Sequence, residues 1–421
     1  MVDTKIIAIG VVALLVVAGA AFVLVSDDGD EYRSSNLEGR LLIMGNADND
    51  DYIDDRDIEK LESLIGTGDG WRETNPLADT DDDGDLDRDD VDMLRRIVDR
   101  EAMTLNYAYV SGDDLVVSSV DYPITNMVVV GDNVALGLKI LGAGSMIRGI
   151  ALSDADDPMY SDLKGIPSIR GTSTTVPSLS LISNVADADT VLVTTTSTRY
   201  VTNEAEIVQS GVPVVRFNVD GGESGLESMM GTLTMGFLLD REEQANDYTR
   251  FCDSILSEVS EKTADIADRA TCIATNRTTN VSGVSSEYHP LPILAGGVNV
   301  ITGDTTFTSW KPGMDWLYGY EFDYIIHSTS LGFGDVDGEA EYESYSSNFS
   351  NLQAYADGNF VLLNANLPAP LRVAYIASVF YPDVFGEDYG DELAQEFIDG
   401  YIDNLSGEYD VKTDACLIQR A

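Results

Sequence analysis

Residues 240–267 read DREEQANDYTRFCDSILSEVSEKTADIA. Ala245, Tyr248, Cys252, Ile255 and Val259 recur there at helical spacing and form one apolar stripe. The pair Asp240-x-x-Glu243 has the form of a capping box and predicts the start of the helix. A helix running from there to about residue 267 is roughly 40 Å long. Ser224-x-x-Glu227 has the same form and opens a helix just before it. On either side, short apolar runs alternate with helical segments. The expected strands are 127–131, 146–152, 190–196 and 213–219 before the long helix, and 271–275, 323–329 and 359–364 after it. Runs of this kind, bounded by helices, predict largely parallel sheets covered on both faces. A long helix between two such halves predicts an α/β protein of two lobes with a cleft between them.

Composition narrows the function. The chain has 421 residues, 44% of them apolar, which suits a folded protein of two or three domains. Asp plus Glu number 73 and Lys plus Arg 25, for a formal net charge of −48. The acid is spread: residues 1–101 carry 27 acids and 10 bases, and residues 102–421 carry 46 and 15. Such a surface repels phosphate backbones and argues against nucleic acid as a partner. Cys252, Cys272 and Cys416 are too few for a disulfide framework, and none lies in a CxxC pair. With only His289 and His327, histidine-based acid–base chemistry has little to work with. No GxSxG, HExxH, Walker A or GxGxxG pattern occurs, so no catalytic residue is marked and the expectation is a protein that binds rather than catalyses.

Ile6 to Val25 is a run of 20 residues without a charge, long enough to cross a bilayer as a helix. Lys5 precedes it, and Asp27, Asp28, Asp30 and Glu31 follow it. This bias predicts a single-pass anchor in the cell membrane with the body of the protein extracellular. The rival reading is a cleaved signal peptide, with Ala18-Gly19-Ala20 as cleavage site.

An internal repeat follows. Asn46-x-Asp48-x-Asp50-Asp51-Tyr52-Ile53-Asp54-x-x-Asp57 returns 33 residues later as Asp79-x-Asp81-x-Asp83-Gly84-Asp85-Leu86-Asp87-x-x-Asp90. Positions 1, 3, 5, 9 and 12 carry side-chain oxygen in both copies, and position 7 (Tyr52, Asp85) offers a backbone carbonyl. Calcium takes six to eight oxygen ligands, and a 12-residue loop supplies them at this spacing. Two calcium ions are expected. Each loop leads into one amphipathic helix, marked by Ile58, Leu61, Leu64 and Ile65, and by Val91, Leu94, Ile97 and Val98. Loop plus exiting helix, duplicated, with Asp at position 12, resembles a type I dockerin over residues 41–101. The resemblance implies a small all-α domain and a cohesin-like partner. Positions 10 and 11 are Asp55-Arg56 and Arg88-Asp89, where the family usually carries small hydroxyl or apolar residues.

The rest of the chain resembles the iron-chelate and vitamin B12 family of ABC-transporter substrate-binding proteins over residues 103–405. The ordered series carries it: Tyr122-Pro123-Ile124 before Met127-Val128-Val129-Val130, Gly211-Val212-Pro213-Val214-Val215, Leu238-Leu239-Asp240-Arg241 at the head of the long helix, Ala295-Gly296-Gly297-Val298-Asn299, and Ala374-Tyr375-Ile376 through Phe385, as in archaeal members. The resemblance implies a two-lobed periplasmic-binding-protein fold, a metal chelate as ligand and an ABC permease as partner. The expected organisation is an anchor at 1–30, the dockerin-like domain at 41–101, a first lobe at 103–222, linking helices at 223–268, and a second lobe with C-terminal helices at 269–421.

In this fold ligands lie at loops following the carboxyl ends of strands. Arg199, Tyr200, Tyr288, His289, Trp310, Lys311 and His327 are the candidate ligand contacts. So few bases argue against a strongly anionic catechol siderophore and favour a corrinoid, a haem-like molecule or a neutral hydroxamate chelate. Asp315, before strand 323–329, falls at the second-lobe position where the family presents a carboxylate to its permease; Ser180 or Leu181 falls at the first-lobe position. Two functional readings stand: a membrane-anchored solute-binding protein serving an ABC importer, or a cell-surface attachment protein whose two-lobed domain is not coupled to transport.

Overall fold

The computed structural model describes residues 6–7, 41–111, 114–173, 176–197, 200–219, 227–302, 310–312, 315–334, 336–412 and 418–420. The N-terminal module holds helices α1 (Asp55–Leu64) and α2 (Arg88–Val98), one after each acidic loop. Asp54 and Asp87 are their N-caps, and Asp57 and Asp90 close a capping box on each. Positions 9 and 12 of each loop therefore also start its helix, satisfying amide groups that helix ends leave open. Leu61, Val91, Leu94 and Ile97 are buried between the two helices and the loops.

Two strands unforeseen in the sequence follow. Strands β1 (Met103–Ser111) and β2 (Asp114–Tyr122) pair antiparallel, with Met103 opposite Tyr122 and Ser111 opposite Asp114. This hairpin joins the module to the first lobe. On one side Ile43 bridges to Tyr107, and the Ala108 amide donates to the Leu42 carbonyl at 2.8 Å. On the other, the Tyr107 hydroxyl accepts from the Arg216 amide at 3.1 Å, and the Asn218 side chain bonds both the amide and the carbonyl of Val110. Residues of the module, hairpin and first lobe share one continuous core, so the small module is not an independent bead.

The first lobe is a four-stranded parallel sheet of β3 (Asn126–Val130), β4 (Ile147–Ala151), β5 (Thr190–Thr195) and β6 (Val214–Phe217), in the order β4-β3-β5-β6. Helix α3 (Asp132–Ile140) follows β3. The linker is α4 (Glu227–Leu238) and α5 (Glu242–Thr263). At 22 residues, α5 is roughly 33 Å long. Ala245, Tyr248, Cys252, Ile255 and Val259 are all buried, as their stripe predicts. The expected capping box does not form: Asp240 takes a left-handed φ of 56° in the turn between the helices, and α5 begins after Arg241 with no side-chain cap. Ser224 lies outside the described residues.

The second lobe has a seven-stranded sheet. Its centre is β7 (Thr271–Asn276), flanked by β8 (Asn280–Ser282) and the short β9 (Val298–Asn299). Beyond β8 lies the edge strand β10 (Trp310–Pro312). On the other side of β7 run β11 (Tyr324–Thr329) and β12 (Phe360–Asn364), parallel to it, and then β13 (Ile418–Arg420), antiparallel. Helix α6 (Ala369–Phe380) is buried at every residue, and α7 (Tyr389–Tyr401) packs on α5 through Tyr248 against Phe397 and Tyr401. All seven strands expected from the apolar runs are present to within two residues at either end; the additions are the antiparallel strands and the two-residue parallel strand β9.

Among the described residues no helix is long and apolar enough to cross a membrane. Ile6–Val25 lies outside them except for Ile6–Ile7, which pairs antiparallel with Leu115 and Val116 of β2.

Because Tyr107 is fully buried between module and lobe, Tyr107→Ala is expected to cost roughly 3–5 kcal/mol. It should lower the melting of module and lobes together. Thermal unfolding followed by circular dichroism and by intrinsic fluorescence tests this; two separate transitions, with that of the lobes unmoved, would contradict the shared core.

Candidate functional site

In an open parallel sheet, a ligand crevice forms outside the carboxyl ends of the strands where the winding reverses. In the first lobe the reversal is at β3, which has β4 on one side and β5 on the other. Loops leaving these three strands meet there: Gly131, Asp132 and Asn133 after β3, Ser153 and Asp154 after β4, and Thr195 at the end of β5. Gly131 has φ +116°, a conformation that favours glycine, and it turns the chain directly into α3. The Asp132 carboxylate accepts from the Ser153 amide at 2.8 Å and so ties two of the loops together.

The second lobe turns its own strand ends to this edge. Ser330, Leu331 and Gly332 follow β11, Ala365 and Asn366 follow β12, and Glu287 and Tyr288 come from the segment after β8. Asn364 accepts from the Leu331 amide and donates to the Gly332 carbonyl, and Asn366 accepts from the Gly332 amide, so two asparagines hold the β11 loop. Together the two edges enclose a cavity of about 460 Å³, within the usual range for small-molecule sites. Tyr160, Tyr200 and Tyr288 stand in its wall beside Asp132, Asp154, Asp157 and Glu287, and no Lys or Arg occurs among the described lining residues.

The lobes touch at one end of the cleft. The Asp157 carboxylate accepts from the Met159 amide at 2.8 Å within its own lobe and from the Phe333 amide at 3.0 Å across the cleft. Burial raises the Asp157 pKa above its ordinary value, while these two amide bonds pull it down. A Cβ on Gly332, where φ is +73°, would lie 2.7 Å from Asp157 Oδ2, so glycine is what lets the two loops approach. Nearby, Asn404 donates to the Pro158 carbonyl at 2.8 Å and accepts from Lys139, which also holds the Asp162 carboxylate. The chain beyond α7 thus returns to the first lobe.

Of the candidate ligand contacts, Tyr200 and Tyr288 line the cavity. Burial, followed by the Glu287 charge, raises the Tyr288 phenol above its usual range. The two histidines do not line it. His327 is fully buried in the core of the second lobe, with its Nδ1 2.9 Å from Thr275 Oγ1 and its ring against Tyr345, Phe349 and Phe360. Burial pushes its pKa down to about 3, so it stays neutral. His289 donates from Nε2 to the Ile301 carbonyl at 2.8 Å, and burial lowers its pKa as well. Both are core histidines held within their own lobe. Arg199 and the side chains of Trp310 and Lys311 lie outside the described residues; the backbone of the latter two forms β10. Asp315 is exposed at the start of a 3₁₀ turn, Asp315–Gly319, and Ser180 is exposed on the helix Leu179–Val185.

Ser153, Asp154, Asp157, Tyr160, Ala365 and Asn366 had not been singled out. The available signal was their position just after expected strands 146–152 and 359–364. The strand-end rule applied to Gly131 selects these residues equally well.

The acidic loops repeat in three dimensions as they do in sequence. Asp57 Oδ1 accepts from the Ala47 amide at 2.8 Å and Oδ2 from the Asp54 amide at 2.9 Å; Asp90 makes the same pair with Thr80 at 2.7 Å and Asp87 at 2.9 Å. Oxygens of Asp79, Asp81 and Asp83 lie within 4.8 Å of one another. Burial and then Asp48 push Asp57 up to about 7, and burial and then Asp90 push Asp79 up to about 7. Carboxylates crowded to that degree fit a hard divalent cation, whose charge offsets their repulsion. The two loops differ at position 6: Gly84 takes φ +99°, whereas Asp51 is not among the residues with positive φ.

The geometry defines a two-lobed α/β protein with a cleft between the carboxyl edges of its sheets. No protein-family model and no curated protein matches the chain. Solved structures do. The TroA-like periplasmic binding protein FepB from Veillonella parvula aligns at 15% identity over 70% of this chain and 93% of its own, with a TM-score of 0.54. An ABC transporter solute-binding protein from Sulfurospirillum deleyianum aligns at 16% identity over 70% of this chain and 96% of its own, with a TM-score of 0.53. The molybdate periplasmic binding protein MolA from Haemophilus influenzae, bound to molybdate, aligns at 15% identity over 68% and 95%, with a TM-score of 0.53. These identities show a common fold, the two-lobed fold of periplasmic binding proteins.

Asp157→Ala leaves the Met159 and Phe333 amides without their acceptor. It is expected to cost about 2 kcal/mol in urea unfolding, as buried amides losing a charged acceptor do. It should also open the cleft, increasing the radius of gyration in solution scattering. An unchanged midpoint and an unchanged radius would show that this bond does not hold the lobes together.

Proposed function

We propose that the protein is a surface solute-binding protein that takes a metal complex into the interlobe cleft and delivers it to an ABC importer; it carries out no chemistry on its cargo. One observation carries the reading: a cavity of about 460 Å³ at the facing strand ends of two lobes, with Tyr200 and Tyr288 in its wall. Two lobes that close on a solute and expose a joint surface suit capture followed by docking. The fold relatives support this: two are periplasmic binding proteins by name, one of them holding molybdate, and the third is an ABC transporter solute-binding protein. Carboxylates in the lining select for a complex of neutral or positive charge, such as a corrinoid or a ferric hydroxamate, or for a haem-like ring with its acidic edge turned away. Absorption titrations with cobalamin, haem and ferric hydroxamates test this directly. At least one is expected to bind one per chain and to bind weakly after Tyr200→Ala with Tyr288→Ala. Silence across the panel, with the fold intact, would favour a role in surface attachment.

The same reading gives the N-terminal module two calcium ions, held by Asn46, Asp48, Asp50, Asp54 and Asp57 with the Tyr52 carbonyl, and by Asp79, Asp81, Asp83, Asp87 and Asp90 with the Asp85 carbonyl. The crowding of buried carboxylates in both loops supports it, as do the matching bonds of Asp57 and Asp90. The module is then a dockerin-like spacer or a contact for a cohesin-like protein, and Ile6–Val25 is the membrane anchor that keeps the body outside the cell. Calorimetric titration of the calcium-stripped full chain is expected to give two ions per chain, and one after Asp79→Ala with Asp90→Ala. No heat from the wild-type protein would remove calcium from the reading.

Docking to the permease uses exposed charge at the top of the lobes. Asp315 occupies that place on the second lobe, while Ser180 leaves the first lobe without a carboxylate. Losing a rim charge acts mainly on association rate. Asp315→Ala is expected to slow binding to the permease in nanodiscs several-fold, and Ser180→Glu to speed it. Rates unmoved by both substitutions would place the docking face elsewhere.

A further inference from the structure

Beneath the cleft lies a second cavity, of about 60 Å³. It shares Asn133, Glu287, Ala365 and Asn366 with the cleft above. Its deeper wall includes Arg372 of α6 and Ser228 in the first turn of α4. Arg372 is 4% exposed, and its Nε and Nη1 have no hydrogen-bond partner; neither has the Ser228 hydroxyl. Among the described residues no carboxylate forms an ion pair with Arg372. Glu287 borders the same cavity without reaching it. The guanidinium lies 5.7 Å from the centroid of the Tyr288 ring.

Removing a charge from water costs several kcal/mol unless hydrogen bonds and a counter-charge replace the lost hydration. This chain meets that requirement at its other buried bases. Arg216 holds the Glu204 carboxylate and the Thr195 carbonyl, and Lys139 holds Asp162 and Asn404. Two unpartnered N–H groups and an unpartnered hydroxyl belong to residues that line one space larger than one water needs. The first turn of α4 adds the positive end of a 12-residue helix on the same wall.

We propose that this cavity is an anion site, in which Arg372 Nε and Nη1 and the Ser228 hydroxyl bind a monovalent anion of halide or carboxylate size at the base of the cleft. The two sources of that chemistry are a free ion from the medium and an acidic arm of the bound cargo. The inference rests on the proposed function only for the second source. Because Tyr288 lines the cleft and has the Arg372 guanidinium over its ring, an anion held by Arg372 bears on one wall of the ligand cavity.

The probe is bromide. Crystals of the full chain, grown without halide and soaked in sodium bromide, are expected to show one anomalous peak within hydrogen-bond reach of Arg372 and Ser228, which acetate displaces. In solution, the excess chloride-35 line width of the wild-type chain is expected to fall in Arg372→Met, a substitution of similar shape without charge or donors. If that variant fails to fold, the wild-type crystal result still decides. A cavity that holds only water in saturating bromide overturns the proposal. So does a chloride line width that is the same in wild type and folded Arg372→Met. Displacement of bromide by haem, which carries carboxylates, but not by a ferric hydroxamate without them, assigns the anion to the cargo. Retention with both assigns it to the medium. If no chelate binds at all, the transport reading fails while the bromide peak stands.

Discussion

The structure depends on how α5 buries its apolar stripe. A 22-residue helix with Ala245, Tyr248, Cys252, Ile255 and Val259 on one side is stable only where a partner surface covers them. That surface comes from α4 before it and from α6 and α7 near the C-terminus. Helix α6 is buried at every residue and so lies at the centre of the molecule. Since α4 is anchored to the first lobe and α6 follows directly from β12 of the second, covering the stripe sets the distance between the lobes. The two sheets then face each other with their strand ends, and the cleft results from this packing.

The bonds across the cleft and around its base depend on the same placement. Phe333 reaches Asp157 from the loop after β11, and Asn404 reaches Pro158 and Lys139 because the C-terminal chain crosses back to the first lobe after α7. Glycine at 332 and 131 is needed for close approach and for a left-handed turn, respectively. These contacts are few and polar, which suits a joint that opens and closes, whereas the surface between α5 and α6 is apolar and extensive. The N-terminal module is tied in differently. Its core runs through the β1–β2 hairpin into the first lobe, so the state of the acidic loops and the stability of that lobe are linked.

Acidity has separate consequences at the surface and inside. On the surface a net charge of −48 keeps the chain apart from other polyanions. In the interior every charge must find a partner, and the buried bases show where the chain supplies one. Arg216 and Lys139 are provided for, and among the described residues Arg372 is not. The loops of the N-terminal module have the converse imbalance, with carboxylates raised toward neutral pKa values by burial and by one another. Both are deficits of counter-charge among the described residues, of opposite sign.

Much of this was legible in the residues. The strands of both sheets show as apolar runs because a strand covered on both faces needs no polar side. The stripe of α5 and the repeated acidic loops show because helix and loop impose a spacing that a single chain segment satisfies alone. Tyr200 and Tyr288 were found because they follow strand ends. The hairpin was not found: neither MTLNYAYVS nor DLVVSSVDY alternates strictly between polar and apolar residues, and the hairpin is buried by Leu42, Ile43 and Arg216, which lie far off in sequence. His327 was misplaced because a histidine after an apolar run reads the same whether its ring turns toward the cleft or into the core, and only the packing of Tyr345, Phe349 and Phe360 decides which. Local spacing therefore determined the elements and the acidic loops. Tertiary packing alone decided which strand ends meet, which histidines are enclosed and that Arg372 meets no counter-charge among the described residues, since each depends on segments far apart in the chain being brought together.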